Sequence, residues 1–405
     1  MNQKSIWNVA VIVSALGYFV DIFDLLLFSI VRVGSLRDIG VPEEQLLSVG
    51  VTILNAQMAG MLIGGVVWGI WGDRRGRLSV LFGSIFLYSA ANIANAYVHS
   101  VEAYAILRFI AGLGLAGELG AAITLVCEVM HKKTRGYGTA VVASVGILGA
   151  IAAAMIAEIF AWRTAYLIGG GMGLALLVLR IRMLESGMYD SMKKIKCQRG
   201  DIRLLFRNRE TALKYLWCIL IGMPLWYVVG ILITFSPELS KELGVVGGPA
   251  VAGRAVLFSY LGLSVGDLFS GALSQYIGSR KKVLGAFLVS TLLGVFVYCG
   301  LPGLSINAFY VLCFFLGVCT GFWAIFVTVA SEQFGTNLRA TVTTTAPNFV
   351  RGAVLPITFA FEYLQGSFSK VQSALVVGVV IILISLFAMT RLEETHGKDL
   401  DYVEK

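Results

Sequence analysis

The stretch GIWGDRRGR, residues 69–77, packs four charges into five positions, Asp73, Arg74, Arg75 and Arg77 around Gly76, between two runs that carry none, 48–71 and 78–96. A helix needs about 20 apolar residues to cross a hydrocarbon core of about 30 Å, and each run is close to that length. The charged stretch is therefore a short turn on one face of a membrane, joining two spans. Gly76 permits the turn backbone, and Asp73 is placed to cap the following helix or to pair with a cation from a neighbouring one.

Working outward gives twelve such runs, near 7–30, 48–71, 78–96, 101–125, 137–160, 165–184, 211–235, 252–276, 283–300, 307–328, 341–361 and 371–390. With 57% hydrophobic and 14% charged residues over 405, the chain has no composition of a water-soluble domain. The first run is too long and too acidic for a cleaved leader and is expected to stay as span 1. Placing the N-terminus inside puts six of the 32 lysines and arginines outside (Arg32, Arg37, Arg163, Lys241, Arg254, Lys370), two within spans (Arg108, Arg351) and the remaining 24 inside. Basic residues concentrate on the cytoplasmic side, so both termini are expected there, and the net charge of +8 needs no nucleic-acid partner. The expected organisation is a six-helix bundle over 1–184, a basic cytoplasmic linker over 185–210, a second six-helix bundle over 211–390, and a cytoplasmic tail over 391–405. The six cysteines have no metal-like spacing, and no metal or cofactor is implied.

The two halves share landmarks. GIWGDRRGR from Gly69 is echoed by GALSQYIGS from Gly271, and TLVCEVMHKKTRG from Thr124 by TVASEQFGTNLRA from Thr328, so that Glu128 and Arg135 match Glu332 and Arg339. Gly69 followed by Asp73, Arg74, Gly76 and Arg77 resembles the G-x-x-x-D-R-x-G-R loop of the major facilitator superfamily. RFIAGLGLAGE, from Arg108 to Glu118, is similar to the helix-4 pattern of its metabolite:proton symporter, organic-ion and sugar-porter branches, with Ala116 in place of one glycine. The resemblance implies an all-α membrane fold of twelve transmembrane helices in two pseudo-symmetric six-helix bundles, and transport by alternating access. It also implies that Asp73, Arg74, Arg77, Glu128, Arg135, Glu332 and Arg339 form cytoplasmic gating contacts. GLGLAG at 112–117 matches a dinucleotide fingerprint but lies in a span with no preceding strand; its glycines suit close helix packing, as do Gly60 and Gly64.

Charges inside spans mark functional candidates. Counted along their helices, Asp24 and Arg108 lie at similar depth below the outer surface and are expected to meet. A carboxylate beside a cation in a low-dielectric cavity stays ionised while paired, and takes up a proton when substrate draws the cation away or closure removes water. In sugar porters an aspartate and an arginine of helices 1 and 4 resemble this pair and serve proton coupling; a static ion pair is the alternative. Asp21, one turn earlier, and Glu118, toward the inner side, are further candidates for proton coupling; Asp21 also suits a substrate hydrogen bond or packing in a wet cavity, and Glu118 a helix-packing hydrogen bond. Arg351, between Pro347 and Pro356, sits mid-span and needs an anion: a substrate carboxylate, as for the arginine it resembles in organic-anion transporters, or a permanent partner such as Asp267 or Glu362. Asn348, Asn55, Gln57, Trp226, Tyr227 and Trp323 complete the candidate substrate wall.

The expected function is a proton-coupled secondary transporter of a small organic anion or zwitterion, acting as a monomer in a membrane like the bacterial inner one. Its partners are the substrate, protons and the lipid bilayer. An exporter of drugs or siderophores, or an uncoupled facilitator, uses the same fold. No nucleophile motif or metal cluster suggests an enzyme.

Overall fold

The computed structural model describes residues 9–75, 77–120, 122, 126, 135–185 and 203–397. The chain is helical: α1 (Val9–Asp38), α2 (Leu46–Arg75), α3 (Arg77–Asn95), α4 (Val101–Leu115), α5 (Arg135–Ile159), α6 (Trp162–Glu185), α7 (Arg203–Arg207), α8 (Arg209–Tyr227), α9 (Ser236–Glu242), α10 (Ala252–Ile277), α11 (Arg280–Gly300), α12 (Ile306–Thr320), α13 (Trp323–Glu332), α14 (Thr336–Gly352), α15 (Val354–Leu364) and α16 (Lys370–Arg391). Among the described residues ten helices are long and apolar enough to cross a membrane. The remaining two of the twelve spans are α3, whose apolar part is the shorter Ser79–Asn95, and the α14–α15 pair, interrupted at Ala353. Without water to satisfy backbone groups, helices are the form such segments must take.

Span ends are fixed by local chemistry. Ser100, Ser279, Ser305 and Ser369 each accept a hydrogen bond from the backbone N–H three residues on, and Asn208 from the one two residues on, so α4, α11, α12, α16 and α8 begin on side-chain caps. Within the spans, irregularity follows proline and glycine. Pro224 sits inside α8, which passes into a π-helical stretch over Val228–Ile233. Two of the carbonyls there are taken up by side chains, Val229 O by the Thr234 hydroxyl at 2.8 Å and Leu232 O by Tyr298 at 2.8 Å.

The chain divides into two compact units, Met1–Val41 with Thr52–Ile202, and Pro42–Val51 with Arg203–Lys405. In the first, α1 packs along α5, where Gly146 and Gly149 lie against Tyr18 and Phe19; α3 packs on α4 and α6. Glycines also seat α2 on α4. A side chain at Gly60 or Gly64 would strike the Phe109 or Leu113 carbonyl, and one at Gly112 the Gln57 carbonyl. The second unit repeats the device between α10 and α12: Gly262 and Gly266 face the Phe314 and Val318 carbonyls, and Gly317 the Ser259 carbonyl. The correspondence is Gly60 to Gly262 and Gly64 to Gly266, 202 apart, and Gly112 to Gly317, 205 apart. The internal repeat read from the loops is thus also a repeat in helix packing, driven by close backbone approach where no hydrophobic force distinguishes helix from lipid.

Candidate functional site

In the first unit four helices bring polar side chains together. Asp21 and Asp24 of α1, Asn92 of α3, Arg108 of α4 and Tyr166 of α6 are all fully buried. Arg108 donates through Nη2 to Asn92 Oδ1, and its guanidinium carbon lies 5.1 Å from the centre of the Tyr166 ring. Asp24 is within electrostatic reach of Arg108 and of Asp21, with the Asn92 amide beside it. Neither Asp24 oxygen accepts a hydrogen bond from a described residue. Room for this carboxylate comes from Gly169 of α6, where any Cβ would run into Asp24 Oδ1. The Tyr166 hydroxyl is 2.8 Å from that of Tyr104, which donates at 3.2 Å to Ser35, extending the polar cluster along α1.

Asp24 and Arg108 are therefore neighbours, but by a different geometry from the equal depths the spans suggested. Helix α1 runs to Asp38 and not to 30, so it carries about 12 Å more helix beyond Asp24, and Arg32, expected outside, is buried within it. Arg108 reaches toward Asp24 and meets Asn92 first. Asn92, Tyr104 and Tyr166 were not singled out from sequence, where an asparagine or tyrosine in an apolar run carries no distinguishing pattern.

Glu118 has a committed partner. Arg180 of α6, expected on the inner face, is buried and pairs with Glu118 through both nitrogens, Nη2 to Oε1 and Nη1 to Oε2, the latter at 3.2 Å. Arg180 also donates to the Val13 and Leu81 carbonyls, each at 3.4 Å, and Ser84 to Glu118 at 3.5 Å, so the pair ties α1, α3 and α6 to the chain after α4. A buried charge is tolerated when paired and hydrogen-bonded in this way.

The second unit holds the other candidates. Arg351, buried in the last turn of α14, lies with its guanidinium carbon 5.6 Å from the centre of the Trp226 ring. Asn348, one turn earlier, donates to Thr344 O at 3.3 Å. The indole N–H of Trp226 is buried and donates to no described residue. Tyr227, in contrast, is spent on structure: its hydroxyl donates to Ala374 O at 2.6 Å and its ring lies against Gly378. Trp323 lies against Phe326 with the rings tilted by 38° and their centres 5.0 Å apart. Of the suggested partners for Arg351, Asp267 instead accepts from the Ala324 N–H at 3.1 Å, and Glu362 lies on α15. Asn55 and Gln57 belong to the first unit; Asn55 is buried, and Gln57 donates to Leu25 O at 3.0 Å, pinning α2 to α1.

Of the gating candidates, Glu128 lies outside the described residues, as do the side chains of Asp73, Arg74, Arg77 and Arg135. Glu332 is held in a two-point ion pair by Arg280 of its own half, at 2.7 and 3.0 Å, and Arg339 donates to Phe334 O at 3.2 Å. Arg280 sits at the start of α11, where Glu394 also binds. The Glu394 carboxylate accepts from the Ser279 hydroxyl and from the N–H groups of Arg280 (3.0 Å), Lys281 (3.2 Å) and His396 (3.0 Å). Partial burial pushes this carboxyl up, but the Ser279 hydroxyl and the backbone donors outweigh it and bring it down to about 2.

The Major Facilitator Superfamily family model matches residues 10–355. A niacin transporter of Acinetobacter baylyi is 24% identical over 96% of this chain and 95% of its own, and a gentisate transporter of Corynebacterium glutamicum 25% identical over 94% and 88%. Among solved structures, an inward-open xylose transporter from E. coli aligns with a TM-score of 0.73 at 16% identity, over 98% of each chain, a likeness of fold. Twelve helical spans in two glycine-packed halves, the charged loop from Gly69 and the family match over most of the length agree: this chain belongs to the major facilitator superfamily, and it is a membrane transporter, not an enzyme.

Proposed function

We propose that the protein is a proton-coupled symporter of a small organic anion, working by alternating access, with an aromatic or heteroaromatic monocarboxylate as the first class to test. The observation that carries the coupling is the buried cluster of Asp24, Arg108 and Asn92, which puts a protonatable carboxyl beside a cation that substrate or closure could redirect. The anion preference rests on Arg351, whose planar fork suits a carboxylate, and on Trp226, whose ring and buried indole N–H suit an aromatic acid. The niacin and gentisate transporters among the relatives point to the same chemistry.

The test uses purified protein in proteoliposomes with radiolabelled nicotinate and gentisate as probes. An imposed inward proton gradient is expected to drive accumulation of at least one probe. Asp24→Asn is expected to abolish accumulation while leaving counterflow exchange intact; accumulation by Asp24→Asn would remove the coupling role. Arg351→Lys keeps the charge but loses the two-point fork, and a weakening of probe binding by about 1.5–3 kcal/mol is expected. Unchanged affinity would remove the anion site. Equilibration without accumulation by the unsubstituted protein would identify an uncoupled facilitator.

A further inference from the structure

Asn92 is the residue the coupling cluster leaves unexplained. It is fully buried on α3, and its carbonyl oxygen accepts a hydrogen bond from Nη2 of the Arg108 guanidinium, beside Asp24. Asp24 accepts no hydrogen bond from a described residue, although Arg108 is within electrostatic reach and the Asn92 amide lies beside it. A buried carboxylate left without donors beside an available guanidinium is an unfavourable arrangement, whereas a neutral carboxyl tolerates it. A buried guanidinium in turn needs an acceptor when the carboxylate is neutral, and Asn92 Oδ1 supplies one.

We propose that Asn92 is a positioning residue for proton coupling: it receives Arg108 when Asp24 is protonated and so holds the proton-loaded state. On loading, a proton from water forms an O–H bond on Asp24; Arg108 keeps all its protons and transfers its Nη2 donor from the carboxylate to Asn92 Oδ1. Unloading reverses both moves. The inference rests on the coupling role proposed above.

Among the described residues, the other ionisable groups around this exchange are Asp21 and, two turns along, Arg32 on α1, Tyr88 on α3, Tyr104 on α4 and Tyr166 on α6. The Glu118–Arg180 pair lies within electrostatic reach of Tyr88. Neither α2 between Leu46 and Gly72 nor α5 between Gly138 and Ala157 contains an ionisable side chain. Helices α1, α3, α4 and α6 contain no lysine or histidine to take the place of Asn92 as the residue that answers Arg108.

Infrared difference spectroscopy tests this without any substrate. In the full-length protein in lipid, the carbonyl stretch of a protonated carboxyl is followed against pH, and the part lost in Asp24→Asn is assigned to Asp24. Asn92→Leu keeps the branched shape but removes both the acceptor for Arg108 and the amide beside Asp24; with Arg108 back on Asp24 the band is expected to disappear at a pH lower by about one unit, a tenfold loss of proton affinity. Asn92→Ser, whose short hydroxyl does not reach Arg108, is expected to shift the same way and carries the test if the leucine variant does not fold. A midpoint unchanged in both variants, or no Asp24 band at any pH in the unsubstituted protein, would overturn the proposal. If the band shifts as expected but proteoliposomes show no proton-driven uptake, the transport reading fails and the role of Asn92 in proton binding stands.

Discussion

Ala116–Gly117 and Gly321–Phe322 hold matching places in the two halves, on the registers that relate Gly112 to Gly317, yet the chain behaves differently at each. In the first half the helix only tightens: Ala116 keeps helical angles, and Gly117 N–H bonds to Gly114 O at 3.1 Å. In the second half it breaks, and α13 restarts at Trp323 with Asp267 of α10 accepting from Ala324 N–H. The polar supplements are opposite in kind. Trp68 donates to the Leu113 carbonyl at 2.6 Å in the first half, while its counterpart Ser270 bonds within its own helix and an acceptor, Asp267, serves a freed donor instead. Just after the bend the first half buries Glu118, paired with Arg180; the second half has Trp323. Glycine positions repeat because both halves need the same helix spacing, whereas buried polar groups are free to diverge as long as each is satisfied.

The comparison breaks most sharply at the ion pair. Arg180→Met strands Glu118 and is expected to cost about 3–5 kcal/mol in unfolding of the purified protein, with most of it recovered in the Glu118→Leu/Arg180→Met double variant; additive losses would mean the pair is not a unit. Next is the second half's cap. Asp267→Ala is expected to cost about 1 kcal/mol and to speed amide exchange at Trp323–Phe326, while Asp267→Asn, an equally good cap, retains most of the stability. Equal losses in the two variants would show that the charge, not the cap, matters. The smallest effect is at the N-terminal end of α11. Because Glu394 is held at about 2, below its unfolded value of about 4.3, the stability it lends is full above that value and drains as pH falls toward 2. Being solvent-exposed, it is worth at most about 1 kcal/mol, read as a shallower acid loss of thermal stability in Glu394→Gln than in the unsubstituted protein.

Much of the fold is legible in the sequence because crossing a membrane constrains segments one at a time. Apolar length sets the spans, the charged turn after Gly69 sets a boundary, and recurrence of small residues and loop landmarks sets the repeat. Asp24, Arg108 and Arg351 stood out for the same reason: a charge in an apolar run is visible without knowing its neighbours. What could not be read was partnership. Arg180 closes a span and is followed by a basic run, so by hydropathy it belongs with the linker; only folding brings it to Glu118, 62 residues away. Asn92 has no charge to draw notice and matters because α3 places it where Arg108 meets α1.

The sequence by itself determined the twelve spans, their two-fold repetition and the ionisable residues that lipid would make costly, since each depends on sums along a single segment. Tertiary structure alone decided that Asn92 accepts from Arg108 beside Asp24, that Glu118 is bound by Arg180, and that Arg351 faces Trp226, since hydrogen bonds and ion pairs depend on distances between helices that no one helix encodes.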